Sequence, residues 1–370
     1  MVSPQLRPLP SRYSGRNPEG TVGRGAAEKR GTEQPTDGPG DVGDVYMDAS
    51  EKLLETHQPV MVAEIVECFA SVPAGLVVDA TFGYGGHSLA ILTAHPNLQI
   101  LGLDQDDESI ANAEKLIAND PKLKDRLTVR RARFDDLHDV LRQMSVDEIS
   151  GALFDLGVSS PQLDVAARGF SYRNDGPLDM RMDRRVEFSA DDVVNGYEEA
   201  ELAGLIRANS DERFARRIAS AIVSARPIKS TAHLAEVVVA AIPAPARRTG
   251  GHPAKRTFQA IRIEVNKELE ILARALEQAI DATKVGGRVA VLSYHSGENR
   301  IVKQVFADSE RGDARILDAS PFVHESRSGA RRTRRVRMPK QPTSREQESN
   351  RRAKSARLRV VEKTLSGVGN

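Results

Sequence analysis

The sequence contains one cysteine, no tryptophan and no apolar run long enough to cross a bilayer. A single thiol, Cys68, excludes an intramolecular disulfide and a metal site built from several thiolates, so we expect a reducing compartment and no metal ion. The most apolar stretch, residues 235–246, is short and contains Pro243 and Pro245. The N-terminus also lacks the apolar core of a secretory signal. These absences predict a cytoplasmic protein that does not enter a membrane.

Neither sign of charge is in large excess, because 53 lysines and arginines face 52 acidic residues and leave a net charge of +1. Affinity for nucleic acid would therefore have to come from local clusters of basic residues. One such cluster is Arg331–Arg337. Two interpretations remain open for it, a solvated loop and a set of phosphate contacts.

Residues 1–45 are rich in glycine, proline and arginine and show no apolar period. Such a segment cannot bury enough apolar surface to offset the entropy lost on ordering. We therefore predict a disordered leader. A basic arm that touches RNA is the alternative.

From about residue 58 onward, short apolar runs, which we interpret as strands, alternate with helical stretches. The runs are residues 76–79, 100–104, 127–134, 151–155 and 288–293, and residues 356–361 alternate like a closing strand. This order predicts an α/β fold with a doubly wound, mostly parallel sheet and helices on both faces.

The long interval between the fourth and fifth runs has helical character. Ser210 predicts a helix N-cap, and a continuous apolar stripe from Phe258 to Ile280 predicts one long helix that returns to the sheet. Besides the leader, we therefore predict a sheet domain formed by residues 46–162 and 251–370 and a helical insertion at 163–250. The sheet domain includes an irregular basic segment at about 308–355.

The first strand run leads into the loop Asp79-Ala-Thr-Phe-Gly-Tyr-Gly-Gly-His87. Gly83, Gly85 and Gly86 allow a tight turn and a close approach of a ligand to a helix N-terminus. Dinucleotide-binding folds use a similar turn, so the glycines alone do not identify the cofactor. The acid Asp79 before the glycines favours S-adenosylmethionine, which carries a cationic amine and a sulfonium, over an anionic pyrophosphate.

Three more residues follow the ends of neighbouring strands. Asp104 can accept hydrogen bonds from ribose hydroxyls, Phe134 can pack against adenine, and Asp155 ends the fourth run. Open α/β sheets bind ligands at this edge, so the set predicts a nucleoside cofactor. Structural alternatives stay open: Asp79 as a helix cap, Phe134 as core, and His87 as a hydrogen-bonding residue at a helix N-terminus.

Longer motifs resemble one family, the bacterial 16S rRNA (cytosine-N4)-methyltransferases, over about His57 to Val361. The motifs are TFGYGGHS at 81–88, DLGVSSPQLD at 155–164, RGFS at 168–171, DGPLDMRMD at 175–183, ERFARRI at 212–218 and RTFQAIR at 256–262. The resemblance implies a class I methyltransferase sheet with an inserted helical domain for substrate recognition. It also implies methylation of the exocyclic N4 of a cytosine in the decoding region of 16S rRNA, within the small ribosomal subunit.

The resemblance further assigns residues to the S-adenosylmethionine site. Gly85, Gly86 and His87 would contact the methionine end, Asp104 the ribose and Phe134 the adenine, and the site would be completed by Asp155 and Gln162. The segment Ser293–Arg300 departs from the family, which usually has leucine at the position of Gly297 and aspartate at that of Asn299. This departure puts a catalytic role for Asn299 in doubt.

Methyl transfer to cytosine N4 requires an acceptor for the amine's hydrogen bond and proton, because the lone pair of that amine is delocalised into the ring. Candidate acceptors are Asp155, Ser159, Ser160 and His295, and each has a structural alternative. The base must also be presented outside a stack. Arginines of the insertion could grip phosphates there or pair with nearby aspartates: Arg168, Arg173, Arg181, Arg184 and Arg185.

Three rival functions remain open at this point. The protein could methylate DNA or another protein, could be an NAD-dependent oxidoreductase, or could be a ribosome-assembly factor that has lost turnover. Gly297 and Asn299 motivate the last of these. The sequence also leaves a homodimer open.

Overall fold

The computed structural model describes residues 59–248, 251–312, 331–350 and 352–364. The predicted leader lies outside the described residues. The strands are β1 (Gly75–Asp79), β2 (Leu98–Asp104), β3 (Leu127–Arg131), β4 (Ile149–Asp155), β5 (Thr283–Ser293), β6 (Thr333–Arg335) and β7 (Arg357–Lys363).

These strands form one sheet in the order β3-β2-β1-β4-β5-β7-β6. Strands β1 to β5 are parallel to their neighbours in that group, and β7 pairs antiparallel with both β5 and β6. The predicted α/β class with a mostly parallel sheet is therefore confirmed. The chain reverses its direction of travel across the sheet between β1 and β4, and ligands bind in the crevice at such a switch point.

Helices cover both faces of the sheet. In chain order the helices are α1 (Val62–Phe69), α2 (Gly86–Ala94), α3 (Asp107–Asn119), α4 (Leu137–Gln143), α5 (Ser160–Asp164), α6 (Glu199–Ser210), α7 (Ala215–Ser224), α8 (Thr231–Ala241), α9 (Ala244–Arg247), α10 (Lys255–Asn266), α11 (Glu268–Ala282), α12 (Ser296–Arg311) and α13 (Ser344–Ser349). Within the described part of the chain, none of them is long and apolar enough to span a membrane.

Alternate residues of the central strands supply the two apolar layers of the core. Val77 and Leu153 point to one face, and Val78 and Phe154 point to the other. Because helices cover both faces, these strands are buried almost throughout and read as continuous apolar runs rather than as alternating ones. This burial fixes the positions of the strand ends, and therefore the positions of the residues that follow them.

The helices between β4 and α11 share a hydrophobic cluster of their own, which we call the helical layer (residues 160–266). Its buried side chains include Ile206, Ile218 and Phe258. The predicted division at 163–250 stays a prediction, since α10 also packs into this cluster.

Two local predictions in this region were wrong. Ser210 ends α6 instead of starting a helix, because its hydroxyl donates back to the carbonyl of Ile206 and Asp211 adopts a left-handed conformation. The predicted long helix is two helices, α10 and α11, separated at Lys267, whose φ of 53° is left-handed. A turn made by lysine leaves no glycine or proline signal in the sequence.

The basic segment predicted to be irregular at about 308–355 has regular structure in its described parts. It includes the end of α12, the edge strand β6 and the helix α13, while residues 313–330 lie outside the described residues. Arg332 pairs with Glu277 and Asp281, and Arg334 pairs with Glu362. These contacts favour a structural use of the cluster over phosphate contacts.

Candidate active site

A cavity of about 840 Å³ opens at the carboxyl ends of β1, β2 and β4, beneath residues of the helical layer. Its lining includes most of the residues that the sequence singled out: Gly86, His87, Asp104, Phe134, Asp155, Ser159, Gln162 and His295. Gly85 lies outside the lining, whereas Gly83 belongs to it. The volume falls within the range of small-molecule sites.

The ring of Phe82 packs between the glycine loop (residues 79–87) and β2. Gly85 has a φ of 78°, and a Cβ there would lie 2.7 Å from Phe82 Cζ. On the other side of the ring, a Cβ at Gly102 would lie 2.4 Å from Phe82 Cδ2. Both positions therefore require glycine, and the loop is held close to the end of β2.

Asp79 organises this loop from below and lies outside the cavity lining formed by the described residues. The side chain is 2% exposed; it accepts hydrogen bonds from the Ser88 hydroxyl at 2.6 Å and from the Thr81 N–H at 3.2 Å. Burial raises the pKa of the carboxyl. The argument that Asp79 faces a cationic cofactor is therefore wrong. The alternative of a helix cap is wrong as well, because the N-cap of α2 is Gly85 and no side chain caps this helix.

Asp104 lines the cavity and is oriented by two backbone donors. The N–H of Gly83 donates to Oδ2 at 2.8 Å, and the N–H of Asp106 donates to Oδ1 at 2.9 Å. The Ser109 hydroxyl is a third donor to this carboxylate, which keeps a lone pair that can accept from a ribose hydroxyl. Burial raises the pKa of Asp104 to about 6.

Asp106 connects this edge of the sheet to the helical layer. The Arg168 guanidinium lies 2.7 Å from Asp106 Oδ2, and Gln162 Nε2 donates to the same oxygen at 2.8 Å. Arg168 is 1% exposed and also donates to the carbonyl of Arg181. Of the two uses left open for Arg168, the structure therefore favours pairing with an aspartate over contact with RNA, because its guanidinium is buried against Asp106. Gln162 both lines the cavity and joins its two walls.

Asp155 lies at the end of β4 between a tyrosine and a histidine. The Tyr294 hydroxyl donates to Asp155 Oδ1 at 2.5 Å, and His87 Nδ1 lies 3.6 Å from Oδ2. His87 Nε2 lies 2.9 Å from the carbonyl of Val60, which can only accept, so this nitrogen carries a proton. Nδ1, the other ring nitrogen, therefore faces the Asp155 carboxylate at a distance beyond that of a direct hydrogen bond.

Burial raises the pKa of Asp155, and the nearby His87 and the hydrogen bond from Tyr294 oppose that effect. Burial also raises the pKa of Tyr294 well above its ordinary value, so the phenol stays a donor. The result is a carboxyl group with enhanced basicity at the wall of the cavity. Such a group is a better proton acceptor than an ordinary aspartate.

Among the other catalytic candidates, His295 has a structural role. His295 is the N-cap of α12: its Nδ1 faces the N–H of Glu298 at 3.4 Å, and Glu298 Oε2 accepts from the N–H of His295. The backbone N–H of Ser159 donates to Gln162 Oε1. Ser160 begins α5, and its side chain lies outside what the structure describes. Asp155 is thus the candidate whose carboxylate combines exposure to the cavity with a raised pKa.

The family departure at residues 297 and 299 lies beside the cavity lining, not in it. Asn299 Oδ1 accepts from Arg359 Nε at 3.0 Å, on the side of β7. A Cβ at Gly297 would lie 3.0 Å from Leu269 Cδ1. An acid at position 299 would therefore pair with an arginine of the sheet.

The sequence analysis missed two residues that face Asp155. Tyr294 directly follows β5, so its position at a strand end was a usable signal. Arg352 lines the cavity from the short helical turn that precedes β7, and burial lowers the pKa of its guanidinium. Nothing in the local sequence around Arg352 relates it to the glycine loop.

Two of the remaining arginines expected to grip phosphates are paired with the aspartates between them. Arg181 Nε lies 2.7 Å from Asp179 Oδ1, and Arg185 Nη2 lies 2.6 Å from Asp183 Oδ2. The guanidinium of Arg184 donates to the carbonyl of Ala167. Of the predicted set, Arg173 remains exposed beside the cavity without a carboxylate partner among the described residues.

Comparison with known proteins shows the family of this chain. Residues 55–364 match the model of the MraW methylase family. The chain belongs to this family. It is 46% identical to "Ribosomal RNA small subunit methyltransferase H" of Thermobifida fusca over 320 residues, which cover 83% of this chain and 93% of the relative. Proteins of the same name from Nocardioides sp. and Frankia alni are 46% and 47% identical, over 85% and 83% of this chain and 98% and 95% of the relatives.

The predictions of a methyltransferase and of its cofactor, S-adenosylmethionine, are confirmed by this membership. The residues at the cavity fit the cofactor. Asp104 supplies an acceptor for a ribose, Phe134 and Leu156 offer apolar surface to an adenine, and Asp155 places a carboxylate where a cationic amine or sulfonium would be favoured. The rival interpretation as an NAD-dependent oxidoreductase is set aside.

Proposed function

We propose that this methyltransferase methylates the exocyclic N4 of a cytosine in the decoding region of 16S rRNA, within the small ribosomal subunit. The names of its relatives support the substrate, and residues 155–183 carry the motifs that resemble the cytosine-N4 enzymes. The cytoplasmic location stays a prediction, and so does a homodimer.

The observation that carries the chemical part of the proposal is the arrangement of Asp155, Tyr294 and His87 at the cavity wall. S-adenosylmethionine, when bound, supplies a methyl group bonded to a sulfonium sulfur. Asp155 accepts a hydrogen bond from the N4 amine, which draws the lone pair of that nitrogen out of conjugation with the ring. The N4–H bond then breaks toward Asp155, and the carboxyl group holds the proton.

Tyr294 positions Asp155 for this role. Its hydroxyl donates a hydrogen bond to Oδ1. The hydrogen bond from the amine is therefore accepted by Oδ2, the oxygen that also faces His87. Most of the catalytic effect comes from holding donor and acceptor in contact in a closed site, since the transfer is an in-line displacement. We further propose that residues 163–250 recognise the substrate by forming the wall opposite the glycine loop.

Mass mapping of modified nucleosides in 16S rRNA tests the substrate. Deletion of the gene should remove N4-methylcytosine from one position, and the wild-type gene should restore it. Asp155→Asn, which keeps the shape but removes the proton acceptor, should restore it poorly. Retention of N4-methylcytosine in the deletion strain would overturn the proposal.

An assay with purified protein separates the rival substrates. Labelled S-adenosylmethionine is incubated with small subunits from the deletion strain, naked 16S rRNA, DNA or total protein. We expect transfer to small subunits. Transfer to DNA or protein alone would favour another methyltransferase, and cofactor binding without any transfer would favour an assembly factor.

A further inference from the structure

A second concavity, of about 530 Å³, lies beside the active-site cavity at the start of α10. Lys255 and Gln259 line both, so the two spaces meet along this helix. The remaining wall includes Arg213, His252 and Arg256. We call this second space the flanking groove.

Two cations of the flanking groove are available to a ligand. Arg213 and Lys255 are exposed, and within the described residues no carboxylate forms an ion pair with either side chain. The Arg213 guanidinium instead lies 4.7 Å from the centroid of the Phe214 ring, which holds it by a cation–π contact. Arg168, Arg181 and Arg185 differ in this respect, because the guanidinium group of each forms an ion pair with an aspartate.

A stack of flat groups bridges the two spaces. The rings of Tyr172 and His252 lie 4.4 Å apart with an angle of 17° between their planes, and the Arg173 guanidinium lies 5.7 Å from the Tyr172 centroid. Tyr172 lines the active-site cavity, and His252 lines the flanking groove. Phe258 contacts Tyr172 edge-on and fixes the stack to the helical layer. His252 is exposed, so this stack ends at solvent.

We infer that the flanking groove binds the single-stranded RNA segment next to the target cytidine, with a neighbouring base stacked on His252 and backbone phosphates beside Arg213 and Lys255. This inference rests on the proposed function. Single-stranded nucleic acid is bound by combining a cationic track with aromatic side chains on which bases stack. An acidic peptide would contact the cations but not stack on the aromatic rings, whereas RNA would do both, so RNA is the occupant that we infer.

The inference also explains how a base can be held out of its stack. An extruded cytosine leaves its neighbours without a stacking partner, and ring surface for the adjacent base offsets part of that cost. The Tyr172–His252 stack is continuous with the cavity wall, so it can take the adjacent base at the mouth of the active site. The flanking groove therefore narrows the expected substrate to a cytosine that lies in an unpaired segment of RNA.

The charge is tested with the double variant Arg213→Gln/Lys255→Gln and a matched control, Arg216→Gln/Arg217→Gln, which removes two exposed cations of α7 outside both spaces. Loss of two phosphate contacts to a single strand should raise the KM for small subunits about 10-fold at physiological salt and flatten its logarithmic salt dependence by about 1.4. In the single variant Arg213→Gln, whose residue lies outside the active-site lining, the kcat and the Kd for S-adenosylmethionine should stay unchanged. The control should match the wild type.

The stack is tested at the exposed ring. His252→Ala should raise the KM for small subunits at least about fivefold, since stacking of a base on an aromatic side chain contributes about 1–3 kcal/mol. His252→Tyr should restore it, which a merely local folding role of the imidazole would not predict.

The outcomes separate the inference from the proposed function. If wild-type enzyme methylates small subunits and both groove variants keep its KM and salt dependence, the inference is wrong and the function stands. If wild-type enzyme transfers no methyl group to subunits, the function is wrong. Binding of fluorescent oligocytidine RNA then tests the groove by itself, and equal affinity of wild type and double variant would overturn it.

Discussion

Replacement of Tyr294 by phenylalanine tests the proton-acceptor role of Asp155 most directly. The change removes one hydroxyl, whose hydrogen bond to Asp155 Oδ1 is 2.5 Å long, and keeps the ring that packs beside the cavity. A hydrogen bond to a charged group contributes about 1.5–3 kcal/mol. Because about 1.4 kcal/mol corresponds to one pH unit, the pKa of Asp155 should rise by about 1 to 2 pH units in Tyr294→Phe.

The sign of the effect follows from which form of Asp155 is active. Ionised Asp155 accepts the amine proton, so activity falls as pH falls through its pKa. Burial already raises this pKa, and the hydrogen bond from Tyr294 is one of the interactions that oppose the rise. Removal of that bond should move the acid limb of the kcat profile to higher pH, while kcat on the alkaline side approaches that of the wild type.

The assay is methyl transfer to small subunits at saturating cofactor, measured from pH 5 to pH 9. Below both acid limbs, the loss in kcat should be about 10- to 100-fold, as expected for a pKa displaced by 1 to 2 pH units. Tyr197→Phe is the matched control, because Tyr197 donates to Glu264 at 3.0 Å within the helical layer. A uniform loss at every pH, or an acid limb that stays in place, would refute the assignment of Asp155.

Three further changes test other parts of the site. Asp104→Asn should weaken S-adenosylmethionine binding about 10- to 100-fold by loss of a charged acceptor. The affinity of the wild type should fall as the pH drops below about 6, where Asp104 becomes protonated. Calorimetry from pH 5 to pH 8 measures both effects, and an affinity independent of pH would contradict the ribose role. Arg168→Leu should destabilise the fold by about 3–5 kcal/mol, because it leaves the buried Asp106 without its cation; urea unfolding would show a change below about 1 kcal/mol if the pair were dispensable. Asn299→Asp should leave kcat unchanged and stabilise by up to about 1 kcal/mol through Arg359, whereas a gain in kcat would place residue 299 in catalysis.

The sheet could be predicted from the sequence because burial on both faces makes its strands continuous apolar runs. Asp104 and Asp155 mark strand ends in the structure as they do in the sequence. The break at Lys267 could not be predicted, because a left-handed lysine has no sequence signal and the apolar stripe continues across it. Helix propensity and periodicity describe a segment, whereas this turn is set by the packing of α10 on one cluster and α11 on another.

The arginines show a different limit of sequence reasoning. Arg168 and Arg173 stand five positions apart in one motif region, yet one is buried against Asp106 and the other is exposed beside the cavity. Sequence proximity to aspartates suggested both uses without choosing between them. Only the position of each guanidinium in the fold shows which one can still meet a phosphate.

The three aspartates at neighbouring strand ends have different roles because different donors reach them. Asp79 receives Ser88 and Thr81 from its own loop and is closed off from the cavity. Asp104 receives two backbone N–H groups that orient it and keeps a lone pair for a ligand. Asp155 receives a tyrosine hydroxyl and faces an imidazole, so it alone is placed to exchange a proton. The same residue type at the same edge of the sheet thus holds the loop in one case and, in the roles that we propose, binds the ribose or accepts the proton in the other two, according to the hydrogen-bond donors around it.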